Sequence, residues 1–244
     1  MEVAIITVGD ELLAGDTENT NGTWLARQIT ERGGVVQRIL ALRDHPDVIA
    51  RYVEAWRDEF DTVVVTGGLG GTHDDVTMAA VAGALDRDLA VDPEIRADVA
   101  ETSEAFVESN PDLAEQYDLE LDVDAWSETV AGGKPLENPA GLSPGCVVEN
   151  VYVLPGVPSE LRATFETIAD DFGGGVVSET LYTPAPEGGL TDHLETMMAE
   201  FDVAVGSYPG ETGGSNRVKI TGADPDEVQA AARWLASRIE TTEE

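Results

Sequence analysis

Two kinds of residue in this chain could do chemistry: glycines crowded into one loop, and the carboxylates near it. Gly67, Gly68, Gly70 and Gly71 fall within five positions. They follow an apolar, β-branched run at 62–66, which suits a strand buried on both faces. They precede Val76, Ala79, Ala80, Gly83 and Ala84 at helical spacing. Strand, glycine loop and helix start, in that order, aim backbone N–H groups and a helix dipole at an anion, usually a phosphate. A plain βα turn with ordinary caps would need fewer glycines. The loop is neither of the two common phosphate loops. It lacks Gly-Lys-Ser/Thr, and His73 stands where a dinucleotide fingerprint has glycine.

The acids nearby allow two readings each. Asp10 and Glu11 follow an apolar run at 3–8, where α/β sheets place ligand groups. They could hold a divalent cation through oxygen, or belong to a surface turn. Of Asp74 and Asp75, one could cap the helix while the other meets a metal or ligand. Asp44, with Pro46 close behind, reads first as a helix N-cap. The three histidines, His45, His73 and His193, form no ligand cluster, and Cys146 is alone. Zinc with nitrogen and sulfur ligands is therefore not expected; any metal would be hard, bound by carboxylate, phosphate and water.

The elements that must position these residues follow from periodicity. Strands are expected at 3–8, 35–42 and 62–66, with helices carrying Trp24, Leu25 and Ile29, then Val48, Ile49, Val53 and Trp56. Gly33-Gly34 should stop the first. Asp92-Pro93 opens an acidic helical stretch to about 125, with Ile95, Val99 and Phe106 on one side and a second short helix through Leu113, Tyr117 and Leu121. Strands around Cys146 and Tyr152 read as a hairpin through Asn150, leading to a second strand–glycine–helix junction at Pro155-Gly156-Val157-Pro158-Ser159-Glu160. Glu160 in that first turn suits the helix dipole. After Gly173-Gly174-Gly175, read as a flexible joint, the order becomes βαββα, with Leu194, Met197 and Met198 facing inward. This divides the chain at 1–172 and 176–244.

Fourteen basic residues stand against 48 acidic, a net charge of −34, yet 42% of the chain is hydrophobic, too much for a disordered acidic protein. We read the acid as a solvated surface adapted to high salt, which screens self-repulsion. It argues against nucleic acid as a partner. No apolar run approaches the ~20 residues that cross a bilayer, the first residues lack a basic leader, and one cysteine fits a reducing cytoplasm.

T-G-G-L-G-G-T-H-D-D-V-T resembles the signature of the MoaB/Mog molybdopterin-binding domain. It is most similar to the amino-terminal region of the CinA (competence/damage-inducible protein A) family, with Gly71 in place of the family's proline, a change of loop stiffness only. G-D-E-L-L-A-G, N-T-N at Asn19 to Asn21, N-P-A-G-L-S-P-G at Asn138 to Gly145, L-P-G-V-P-S-E-L and V-G-S-Y-P extend the likeness over nearly the whole chain. The resemblance implies a three-layer α/β/α sandwich on a mostly parallel sheet, plus a small α+β, KH-like second domain. It implies a divalent-metal-dependent pyrophosphatase acting on ADP-ribose-like nucleotides, with molybdopterin binding or adenylyl transfer, or a non-catalytic binding protein, as the alternatives. Catalytic Asp75, Asp74 and Asp44, metal ligands Asp10, Glu11 and Asp75, and a homodimer go with it. So does a phosphate site of Gly67, Gly68, Gly70, Gly71, Thr72, Thr77, Asn21, Pro155, Gly156 and Ser159. The family's carboxy-terminal amidase activity is not expected here.

Overall fold

A computed structural model describes residues 1–71, 74–112, 116, 122–210 and 214–243. Thr72, His73 and the helix expected through Leu113, Tyr117 and Leu121 lie outside the described residues. The chain forms two compact units, residues 1–28 with 36–171 and residues 29–35 with 172–244.

The first unit opens with β1 (Glu2–Val8), α1 (Asp10–Ala14), α2 (Thr20–Glu31), β2 (Val35–Leu42), α3 (Pro46–Glu59), β3 (Thr62–Thr66) and α4 (Thr77–Ala84). It closes with β6 (Lys134–Leu136), β7 (Gly145–Val148), β8 (Val151–Leu154) and α7 (Pro158–Glu166). One six-stranded sheet runs β2-β1-β3-β8-β7-β6. β1, β3 and β8 are parallel, and β7 and β6 turn back antiparallel. β1 and β3 are buried on both faces, as their unbroken apolar runs require. Ala4, Ile6, Val8, Val63 and Val65 pack with Ile49, Val53 and Trp56 of α3 and Val81 of α4. Val3, Ile5 and Val64 alternate to the other face. There the buried Leu25 of α2 and Leu161 and Phe165 of α7 complete a third layer, and Trp24 meets Phe165 edge-on at 5.3 Å.

Local departures from the sequence reading have simple causes. Residues after Gly9 form the short helix α1, not an open turn, because Gly15 adopts φ 79° and closes it as a left-handed cap. His45, not Asp44, is the N-cap of α3, and it makes no side-chain cap bond. Val76 is the N-cap of α4, so neither Asp74 nor Asp75 caps it. The hairpin forms as expected, with Glu149 at φ 54° in its turn.

A two-stranded stem, β4 (Leu89–Val91) against β5 (Glu128–Val130), carries the acidic stretch out of the sheet and back. It holds α5 (Pro93–Ser109) and α6 (Val123–Trp126). Asp92 caps α5 by accepting from the N–H groups of Glu94 and Ile95, and Asp122 caps α6.

The second unit contains β9 (Val177–Thr183), α8 (Glu187–Glu200), β10 (Ala204–Tyr208), β11 (Asn216–Gly222) and α9 (Pro225–Ala236), the expected βαββα order. Its antiparallel sheet runs β10-β11-β9. Val218 and Ile220 pack on Leu190 and Met197 of α8 and on Val228, Ala231 and Leu235 of α9. Met198 is a correction: it is 46% exposed, one position off the buried face. Gly174 is more than part of a joint. Its N–H donates to Arg32 O at 3.0 Å, and a Cβ there would overlap Gly33 O. No helix among the described residues is long and apolar enough to cross a membrane.

Candidate functional site

Strand order locates the site. From β1 the chain passes to β2 on one side, and from β2 to β3 on the other. A crevice therefore opens at the carboxyl ends of β1 and β3, where the winding reverses. There Gly67 takes φ 101°, and a Cβ on it would overlap the carbonyl oxygen of Val8. Only glycine lets the two strand ends lie this close.

The second glycine junction meets the first. A Cβ on Gly156 would lie 2.9 Å from Gly67 Cα. Thr66 Oγ1 donates to Pro155 O at 2.6 Å, and Gly67 N–H donates to Leu154 O at 3.2 Å. Asn21 Nδ2 donates to Gly156 O at 2.6 Å, so α2 braces the junction. Asn19 braces the other side: its Nδ2 donates to Thr7 Oγ1 at 2.8 Å while its Oδ1 accepts from Gly22 N–H. The N-T-N segment thus works first as a strut.

Around these turns lies a cleft of ≈ 920 Å³, at the upper end of the ~300–1,000 Å³ typical of small-molecule sites. Gly67, Gly68, Gly70, Asn21 and Gly156 line it, as do Glu11, Asp44, Asp74 and Asp75. Among the described residues, Gly71, Asp10, Thr77, Pro155 and Ser159 do not. Thr77 is fully buried beneath Gly68, and its hydroxyl has no partner among the described residues. Ser159 is exposed. Asp10 turns to solvent beside Arg43, 3.9 Å away.

Sequence reasoning missed a second set of lining residues. Glu160, read as a dipole complement, faces the cleft. Its Oε2 accepts from Asn138 Nδ2 at 2.6 Å, and Asn138, itself buried, also donates to Ser143 O and accepts from Ala140 N–H. The acidic insert supplies Thr102, Phe106 and Trp126. Helical spacing put Phe106 on the face of Ile95 and Val99; that was the available signal.

The electrostatics are one-sided. Among the described residues, six carboxylates line the cleft (Glu11, Glu18, Asp44, Asp74, Asp75 and Glu160), and no Lys, Arg or His does. Lys134 stands on edge strand β6, away from it. Asp44 Oδ2 accepts from Asp10 N–H at 2.8 Å, while Oδ1 faces Gly68. Burial pushes the Asp44 carboxyl above the ordinary aspartate value; the charges of Asp10, Glu11 and Asp74 push the same way, and the Asp10 N–H opposes them. Burial likewise raises Glu160, against the Asn138 amide. Of the expected metal set, Glu11 and Asp75 line the cleft and Asp10 does not. Among the described residues no group of three His, Cys, Asp or Glu side chains is placed to hold an ion, and Asp10 points away from Asp75's cleft. Among the described residues, side chains alone do not make a metal site.

Residues 4–172 match the family model described as "Probable molybdopterin binding domain", and residues 175–243 match "FAD synthase, middle domain". A protein of Archaeoglobus fulgidus is 35% identical over 235 residues, 96% of each chain. A CinA-like protein of Thermotoga neapolitana is 34% identical over 173 residues, 69% of this chain and 40% of that one. The crystal structure of the protein CinA from Thermoplasma acidophilum superposes with a TM-score of 0.60 at 30% identity, covering 71% of this chain and 99% of that one. The cleft and both glycine junctions fall within the first match, and the chain belongs to the MoaB/Mog-type family of probable molybdopterin-binding domains, as a CinA-like member.

Proposed function

We propose that the cleft binds a nucleotide diphosphate of the ADP-ribose type and hydrolyses its phosphoanhydride. The observation that carries this reading is the meeting of the two glycine junctions, Gly67-Gly68 and Gly156, at the switch point beside Asp44. Backbone N–H groups of the loop would hold the phosphates. Asp44 is the best-placed general base: one oxygen is anchored by Asp10 N–H, the other faces the loop, and burial makes it a better proton acceptor. In the step proposed, water attacks one phosphorus as Asp44 takes its proton. The P–O bond to the bridging oxygen breaks, and that oxygen leaves on the second phosphate.

Six carboxylates around the cleft would repel a bare polyanion, so the ligand must bring its counter-cations from solution. The test is release of AMP and ribose 5-phosphate from ADP-ribose, at molar KCl with Mg²⁺, Mn²⁺ or Co²⁺ supplied. Intact ADP-ribose under all three ions would end this reading. Asp44→Asn should cut turnover by roughly 10²–10⁴-fold while sparing binding.

The match to a probable molybdopterin-binding domain favours a second reading, in which a pterin phosphate occupies the same cleft. Pterin fluorescence carried through purification would support it.

A further inference from the structure

We propose that the insert builds an aromatic wall, Trp126 with Phe106, that takes the planar heterocycle of the ligand. This rests on the reading of the cleft as a small-molecule site, not on the hydrolysis.

The first observation concerns Gly71. A Cβ on it would overlap Nε1, Cε2 and Cζ2 of Trp126, so the indole lies against the α-carbon at the tail of the glycine loop. Any side chain at 71 would push the indole away. The change of loop stiffness expected of Gly71 is thus accompanied by a change in what covers the loop. The second observation concerns α5. Ile95, Val99, Thr102 and Phe106 form one stripe at helical spacing. The first two are buried and dock the helix; the last two continue past the packed region and line the cleft. Phe106 is left 47% exposed there.

The helices that carry the two rings are tied to each other. Arg96 Nε of α5 lies 2.5 Å from Asp124 Oδ1 of α6, the helix that ends in Trp126, and Ser127 behind it is fully buried. Two aromatic side chains lining a cleft that is also lined by the glycine loop and by carboxylates suit an amphipathic ligand. Its ring stacks while its phosphates reach the loop. Stacking tolerates any heterocycle, because each presents a π-face. The wall therefore selects for a ring, not for which ring.

The test titrates the full chain at molar KCl with four probes. Adenosine, ADP-ribose and 6-hydroxymethylpterin carry a planar ring; ribose 5-phosphate does not. At least one ring-bearing probe should bind and quench tryptophan fluorescence. Trp126→Phe should keep that affinity within about threefold but lose the quench, since a smaller ring still stacks. Trp126→Ala and Phe106→Ala should each weaken it by roughly 5- to 150-fold, the range for loss of one stacked ring. Gly71→Ala, by displacing the indole, should act like Trp126→Ala. Ribose 5-phosphate should respond to none of these. The proposal is overturned if no ring-bearing probe binds. It is also overturned if both alanine variants leave affinity unchanged, or if ribose 5-phosphate loses as much as the ring-bearing probes. Adenosine against pterin identifies the ring. Uncleaved ADP-ribose bound through Trp126 would sink the hydrolytic reading and leave the wall standing.

Discussion

Asp44 Oδ2 accepts a hydrogen bond from the backbone N–H of Asp10 at 2.8 Å, joining the loop after β2 to the helix after β1. A side chain that reads as a helix cap instead ties two strand ends together at the switch point. Its other oxygen is thereby set beside Gly68.

The bond and the charge can be separated. Asp44→Asn keeps an acceptor toward Asp10 N–H and removes a charge that burial and three neighbouring carboxylates disfavour. Asp44→Ala removes both. The asparagine variant should be at least as stable as the wild type at neutral pH, and the alanine variant less stable than the asparagine by about 1 kcal/mol, the net worth of one hydrogen bond. Urea unfolding of the three proteins at molar KCl measures this. Equal stability of the two variants would show that the bond contributes nothing.

Gly67 should tolerate no side chain. It combines φ 101° with a Cβ position that overlaps Val8 O, and both β1 and β3 are held in a buried sheet that cannot yield cheaply. Gly67→Ala should cost about 2 kcal/mol or more, from backbone strain and forced separation of the strand ends. Gly83, where a Cβ meets nothing within 4 Å, is the control. Inside α4, Gly83→Ala should stabilise by roughly 0.5–1 kcal/mol through helix propensity. Thermal midpoints of the pair should move in opposite directions.

What could be read in advance follows the range of the interaction. β1, β3 and the βαββα unit were legible because burial on two faces, or on one helical face, repeats along the chain. The junctions at Gly67 and Gly156 were legible because close backbone approach demands glycine locally. Glu160 and Trp126 were not. Glu160 faces the cleft because Asn138, 22 residues earlier, holds it there. Trp126 matters because of Gly71, on a different element. Met198 failed for a smaller reason: one helical position separates it from the buried Met197.

Glu160 makes a pH-dependent prediction. Burial raises its folded-state value above the ordinary 4.5, the Asn138 amide only partly opposing this. Between the unfolded value and the raised folded value, the native state binds more protons than the unfolded state. Stability therefore falls as pH rises through that window, and the penalty is complete above it. Glu160→Gln keeps an acceptor for Asn138 Nδ2 and cannot ionise. The variant should melt higher than the wild type at pH 7, with the gap closing as pH falls toward 4.5. A gap independent of pH would mean that the charge is not what burial penalises.

Thr77 separates support from ligand contact. Its hydroxyl is buried without a partner among the described residues, while its N–H donates to Gly68 O at 3.1 Å. An unsatisfied buried hydroxyl costs roughly 1–3 kcal/mol, and valine replaces it at the same shape. Thr77→Val leaves the backbone bond to Gly68 intact and should stabilise the protein by about 1 kcal/mol, raising Tm by roughly 2–4 °C at this chain length. Because Thr77 does not reach the cleft wall, the affinity for ADP-ribose should not change. A stabilised variant that has lost affinity would instead mean that the loop opens on binding and turns this hydroxyl toward the phosphate. The unsatisfied oxygen of the free protein would then be a stored acceptor-donor for the ligand, and Gly68, whose Cβ would sit 2.5 Å from it, would be the residue that must move.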